Sequence, residues 1–171
     1  PFYFFLICDI TTIDYENVDL NKIDILAKLL SVNKRVDYII EQMNFYSFVG
    51  NKRKAIGFCV SKEHGIYMSE EFNKRGINST FLSSEDSILN RVNFIEKLED
   101  DTDSLEVIFT VDIFNEGVDI PSINTVLFLR PTNSPIVFIQ QLGRGLRKYK
   151  NKEFLTVLDF IGNHKKAYLI A

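Results

Sequence analysis

Cysteine is scarce in this 171-residue sequence: Cys8 and Cys59 are the two present, each inside an apolar, strand-like run. Thiols placed in that way argue against a disulfide framework or a zinc site, and they make a reducing cytoplasm the expected setting. Glycine and proline are also few, eight and four residues, which excludes collagen-like and low-complexity chains. The longest unbroken apolar run, Phe2 to Cys8, falls far short of the ~20 residues that a membrane-spanning helix needs. A charged leader with a small-residue cleavage site is missing too, so no signal peptide and no membrane partner are expected. None of the glycines is followed by lysine, so the phosphate loop G-x-x-x-x-G-K-[ST] is absent. No Asp-Glu dipeptide occurs either, which removes the usual acidic box for a metal ion. A nucleotide bound by these residues would be met from one side only.

What remains is globular: 46% hydrophobic and 25% charged residues, with a net charge of −3. The length suggests one domain with a sizeable core. Charge is unevenly spread. Glu85 to Asp119 holds 11 acids and two bases, whereas Arg144 to Lys166 holds seven bases and two acids. Such asymmetry suggests a basic face meeting an anion, although Lys148, Lys150 and Lys152 also read as a solvated loop. The start at Pro1 and the stop at Ala171, just after Lys165-Lys166, suggest a piece excised from a longer protein.

Hydrophobic periodicity outlines the order of elements. Phe2 to Ile10 reads as a strand, Asn21 to Val36 as a helix, and a second helix follows with Val36, Ile39, Ile40, Met43 and Phe48 on one stripe. Ala55 to Val60 is a short apolar run of the kind buried on both faces of a sheet. Ser61 then caps a helix that runs to Arg75 and stops at Gly76. Thr80 to Leu82 reads as a short strand. Ser83-Ser84-Glu85-Asp86 resembles a capping box before a helix carrying Ile88, Val92, Ile95 and Leu98. Leu105 to Val111, Thr125 to Leu129 and Leu155 to Ile161 supply three more buried strands, with a helix opened by Ser134-Pro135 before the last. This alternation predicts an α/β fold, a mostly parallel sheet flanked by helices. Residues 1–50 read as a lead-in from a preceding domain, and 51–171 as the domain proper. Ligands of such sheets bind beyond the carboxyl ends of the strands.

Two segments carry candidate chemistry. In Gln140 to Arg147 (QQLGRGLR), positions 140, 144 and 147 share one helical face, so an amide and two guanidiniums project together. That set suits a triphosphate. Gly143 and Gly145 each cost about 1 kcal/mol in a helix interior, which makes sense where a phosphate or another backbone approaches. A solvated amphipathic helix with a glycine-rich end is the plainer alternative. In Thr110 to Pro121 (TVDIFNEGVDIP), Thr110 can bond a nucleic-acid phosphate and Asp119 a ribose hydroxyl. Asp112 as a helix cap and Gly117 as a turn residue are the plainer readings there. His64 and His164 have no partners at metal-ligand spacing. Glu99 to Asp103 reads as a solvated loop, and Cys59 as core.

The string IFTVDIFNEGVDIPSINTVLFLRPTNSP, followed by FIQQLGRGLRKYKNKEFLTVLDFIGN, resembles motifs V and VI of superfamily 2 helicases of the DEAD/DEAH type. The likeness is greatest to those related to restriction and DNA-repair translocases. AIGFCVSKEH resembles motif IV, and the helix from Arg91 to Leu98 also fits the pattern. The resemblance covers roughly residues 50–165, with several motifs in the family's order and spacing. It implies the second RecA-like, or helicase C-terminal, domain: a three-layer member of the P-loop NTPase fold without its own phosphate loop. Arg144 and Arg147 match the arginines that reach the γ-phosphate. Gln140, Gly143, Gly117 and Asp119 match nucleotide-side positions, Thr110 a contact to the nucleic-acid backbone, and Ser61 a further phosphate contact.

The resemblance further implies ATP and Mg²⁺ as cofactors, with the metal held mainly by a first RecA-like domain of the same chain. It implies nucleic acid as partner, DNA favoured over RNA. The enzyme implied is an ATP-dependent helicase or translocase of which this domain by itself is inactive. Two other readings compete with this one. A non-catalytic RecA-like module binding a nucleotide or partner is opposed by the intact pair Arg144 and Arg147. A Rossmann-type oxidoreductase needs a third glycine where Lys148 stands.

Overall fold

A computed structural model describes residues 33–111, 120–131 and 154–161. Five strands pair side by side, every pairing parallel: β1 (Ala55–Phe58), β2 (Ser79–Leu82), β3 (Val107–Thr110), β4 (Thr125–Phe128) and β5 (Thr156–Asp159). Their spatial order is β2-β3-β1-β4-β5. The second strand therefore crosses to an edge, the third returns to lie between it and β1, and the fourth starts the other half. Three helices are described: α1 (Asn33–Phe45), α2 (Lys62–Lys74) and α3 (Ile88–Glu99).

Strands β1, β3, β4 and β5 are buried along their whole length and mostly apolar, because both faces of the sheet are covered there. Alternate side chains feed two separate cores. Ile56, Phe58, Ile108, Val126 and Val157 enter one core, which Leu98 of α3 completes. Ala55, Cys59, Phe109, Leu127 and Leu158 enter the other, against Val36, Ile39 and Met43 of α1 and Met68 and Phe72 of α2. The parallel sheet flanked by helices that the alternation of elements predicts is observed, in the three layers that the resemblance implies.

Local details agree with the sequence at α2 and depart from it at α3. Ser61 caps α2, and Gly76 ends it at φ +81°. Gly76 N–H donates to Asn73 O and Ile77 N–H to Phe72 O, closing a Schellman motif that satisfies two terminal carbonyls. The cap of α3 is Ser87, not Ser83: Ser87 Oγ accepts from Asn90 N–H at 3.1 Å. Ser83 and Asp86 instead close a turn, with Ser83 N–H donating to Asp86 Oδ2 at 2.7 Å. Only the C-terminal half of the stripe expected to bury α3 does so, with Ile95 partly buried against the core. Leu98 is fully buried, but Ile88 is 73% and Val92 43% exposed. The described part of α1 includes Asn33 to Arg35, ahead of Val36.

Glu99 to Asp103 is more than a solvated loop. Lys52 Nζ donates to the carbonyls of Lys97, Asp100 and Asp103, and Lys54 Nζ to that of Glu99. Two ammonium groups thus stand where the last turn of α3 leaves carbonyls without helical partners.

Candidate nucleic-acid and nucleotide interface

The carboxyl edge of the sheet is built by the segments leaving each strand. Phe58 and Thr110 are register partners on β1 and β3, and Cys59 N–H donates to Thr110 O at 2.8 Å. On the other side of β1, Leu129 N–H donates to Phe58 O at 3.0 Å. Beyond that, Phe160 N–H donates to Phe128 O at 3.2 Å. Ladder bonds therefore continue past the strand ends and hold four exit segments together.

Ser61 leaves β1 on this edge. Its Oγ accepts from His64 N–H at 3.2 Å, and its carbonyl accepts from Gly65 N–H at 3.0 Å. The exposed Glu63 carboxyl is held below its usual range, first by its own backbone N–H and then by the Ser61 hydroxyl. Lys62 pairs with Glu85, tying the start of α2 to the loop after β2. Thr110 closes β3 beside it and is fully buried. The structure thus puts Ser61 and Thr110 on adjacent strand exits. Gln140, Gly143, Arg144, Arg147, Gly117 and Asp119 lie outside the described residues.

Three groups on this edge received no functional role from the sequence. Arg35 of α1 donates to Phe160 O at 3.3 Å, anchoring α1 to the end of β5. Asp159 is fully buried at the close of β5, where Oδ1 accepts from Ile161 N–H at 3.1 Å. His64 is buried, and Nδ1 accepts from Val60 N–H at 3.3 Å. Burial, with the Arg35 charge second, lowers its pKa to about 3. Only His64 had a legible cue, its place three residues after Ser61. Burial raises the Cys59 thiol far above its usual range, as a core role requires. Among the described residues no cluster of three His, Cys, Asp or Glu can hold a metal ion. No described helix is long and apolar enough to cross a membrane.

The open parallel sheet between two helix layers has the RecA-like architecture of the solved helicase domains it superposes on. Residues 21–149 match the family described as helicase conserved C-terminal domain, and the chain belongs to that family. It is 37% identical over 105 residues to the Saccharomyces cerevisiae protein named "Putative ATP-dependent helicase IRC3". That match takes in 61% of this chain and 15% of the relative, so the chain spans a small fraction of that protein's length. A fragment structure of the HsdR subunit of a type I restriction enzyme from Vibrio vulnificus superposes with a TM-score of 0.71 at 19% identity. It covers 96% of this chain and 32% of that one. Domain 2 of the DEAD-box helicase Mss116p, solved bound to an RNA duplex, superposes at 0.55 with 21% identity, over 79% of this chain and 50% of that one.

Proposed function

We propose that this chain is the second motor domain of an ATP-dependent DNA helicase or translocase. The observation that carries this reading is the pairing of motif order with topology. Ser61 and Thr110, the two backbone-contact candidates that are described, leave the neighbouring parallel strands β1 and β3 at the carboxyl edge. Ligands of open α/β sheets bind there. A preceding RecA-like domain supplies the phosphate loop and holds Mg²⁺, and α1, within residues 1–50, packs on the core of this domain. This domain completes the ATP site with Gln140, Gly143, Gly117 and Asp119, and with Arg144 and Arg147 toward the γ-phosphate. An arginine so placed stabilises charge on the transferring phosphoryl group. Cleft closure and opening then step this carboxyl edge along one strand's phosphates.

The test is ATP hydrolysis by the full-length chain with single-stranded DNA, duplex DNA or RNA added. Stimulation by DNA above RNA is expected, and the 171-residue chain by itself should be inert. Stimulation by RNA alone overturns the choice of DNA. No stimulation by any of the three overturns the motor reading.

A further inference from the structure

The turn between β1 and α2 holds a buried group that the motor reading leaves unused. In a capping box the third helical residue, commonly Glu or Gln, folds its side chain back over the cap. Here that residue is His64, 1% exposed. Its main-chain N–H donates to Ser61 Oγ, and its ring Nδ1 accepts from Val60 N–H. The ring reaches one residue further back than the usual box. One residue thus binds the backbone before Ser61 and the side chain of Ser61 itself. With Nδ1 accepting, the proton of the neutral imidazole sits on Nε2. A second proton would occupy Nδ1 and break the bond to Val60, and Arg35 beside the ring opposes that charge. Gly65 belongs to the same arrangement, because a Cβ there would run into the Phe81 ring.

We infer that His64 is a positioning residue for the Ser61 contact to nucleic acid. It holds Val60 and Ser61 so that the hydroxyl, its acceptor side taken by the His64 N–H, offers its proton to a backbone phosphate. Without nucleic acid that proton has the Glu63 carboxylate as its acceptor. This inference rests on the assignment of Ser61 above.

The experiment uses the full-length chain and compares His64→Phe, His64→Gln, Ser61→Ala and Ser61→Ala/His64→Phe. It reads KM for single-stranded DNA in stimulated ATP hydrolysis, kcat, and thermal unfolding. Phenylalanine keeps the buried bulk but has no acceptor for Val60. It should raise KM about five- to tenfold, the worth of one ordinary hydrogen bond, with kcat within about twofold. Glutamine restores an acceptor and should recover most of the loss. In the Ser61→Ala background, His64→Phe should add less than about twofold, because both changes remove one contact. A folded His64→Phe chain with unchanged KM overturns the inference, as does an effect that multiplies in full with Ser61→Ala. Should His64→Phe not fold, His64→Gln decides: a KM close to that of the unsubstituted chain upholds the acceptor role, and a tenfold rise overturns it. An unaltered KM in Ser61→Ala removes the Ser61 contact and this inference with it. Loss of stimulation in the unsubstituted chain removes the motor reading instead.

Discussion

A Cβ added to Gly57 would lie 2.5 Å from the ring of Phe109, its register partner across the β1–β3 pair. The ring has little room to yield. Phe109 is fully buried and meets Phe72 of α2 edge-on at 4.9 Å. Gly57 is thus the gap that lets a large aromatic ring fill the core under α2.

Gly57→Ala is therefore expected to destabilise the domain by about 1–3 kcal/mol through overpacking, despite the better strand propensity of alanine. Urea unfolding of Gly57→Ala, Phe109→Leu and the double variant checks this. The smaller ring-free side chain should remove most of the alanine penalty, and strictly additive effects would contradict the clash.

Asn124 governs the opposite, amino edge of the sheet. Its amide donates to Val49 O and Lys52 O at 2.7 and 2.8 Å, and its Oδ1 accepts from Lys54 N–H at 2.8 Å. One buried side chain thereby pins the segment that leads into β1. Asn124→Ala leaves two carbonyls and an N–H without these partners and should cost about 2–4 kcal/mol. Denaturant unfolding at neutral pH measures it. A loss under about 0.5 kcal/mol would mean that water replaces all three bonds.

Acid should weaken the fold through His64. Its folded pKa is lowered to about 3 from an ordinary value of 6.5, so the unfolded chain binds the proton first. The stabilisation is complete above about pH 6.5 and is lost as pH falls toward 3, by at most about 1.4 kcal/mol per unit. Between pH 7 and 5 the parent chain should lose about 2 kcal/mol more than His64→Gln. Equal slopes for the two chains would show that the imidazole does not titrate in this way.

Arg144→Ala and Arg147→Ala in the full-length chain should each slow ATP hydrolysis by about 10³–10⁵, or roughly 4–7 kcal/mol. Lysine should rescue poorly, because it keeps the charge but not the planar fork. Steady-state rates paired with thermal unfolding separate a catalytic loss from a folding one. Normal hydrolysis by Arg147→Ala would end its role at the γ-phosphate.

Much of the strand framework was legible because a strand buried on both faces reads as an apolar run. Ala55 to Val60, Leu105 to Val111, Thr125 to Leu129 and Leu155 to Ile161 each enclose an observed strand. Ser61 and Gly76 marked the ends of α2 for equally local reasons, a hydroxyl that accepts from the first turn and a residue that tolerates positive φ. The Ser83–Asp86 pair misled because the same side-chain bonds that cap a helix also close a turn, and the cap fell instead to Ser87, four residues on.

The sequence by itself determined the order of the described strands and helices, the caps of α2, and the motifs that assign the family. These depend on neighbours a few residues apart. Strand order, and with it the placing of Ser61 beside Thr110, was decided by long-range pairing. So was the burial of His64 under α1, where Arg35 reaches Phe160 O across 125 residues of sequence. Which of the apolar residues of α3 are covered was decided in the same way, since periodicity marks a face but not whether another element packs on it.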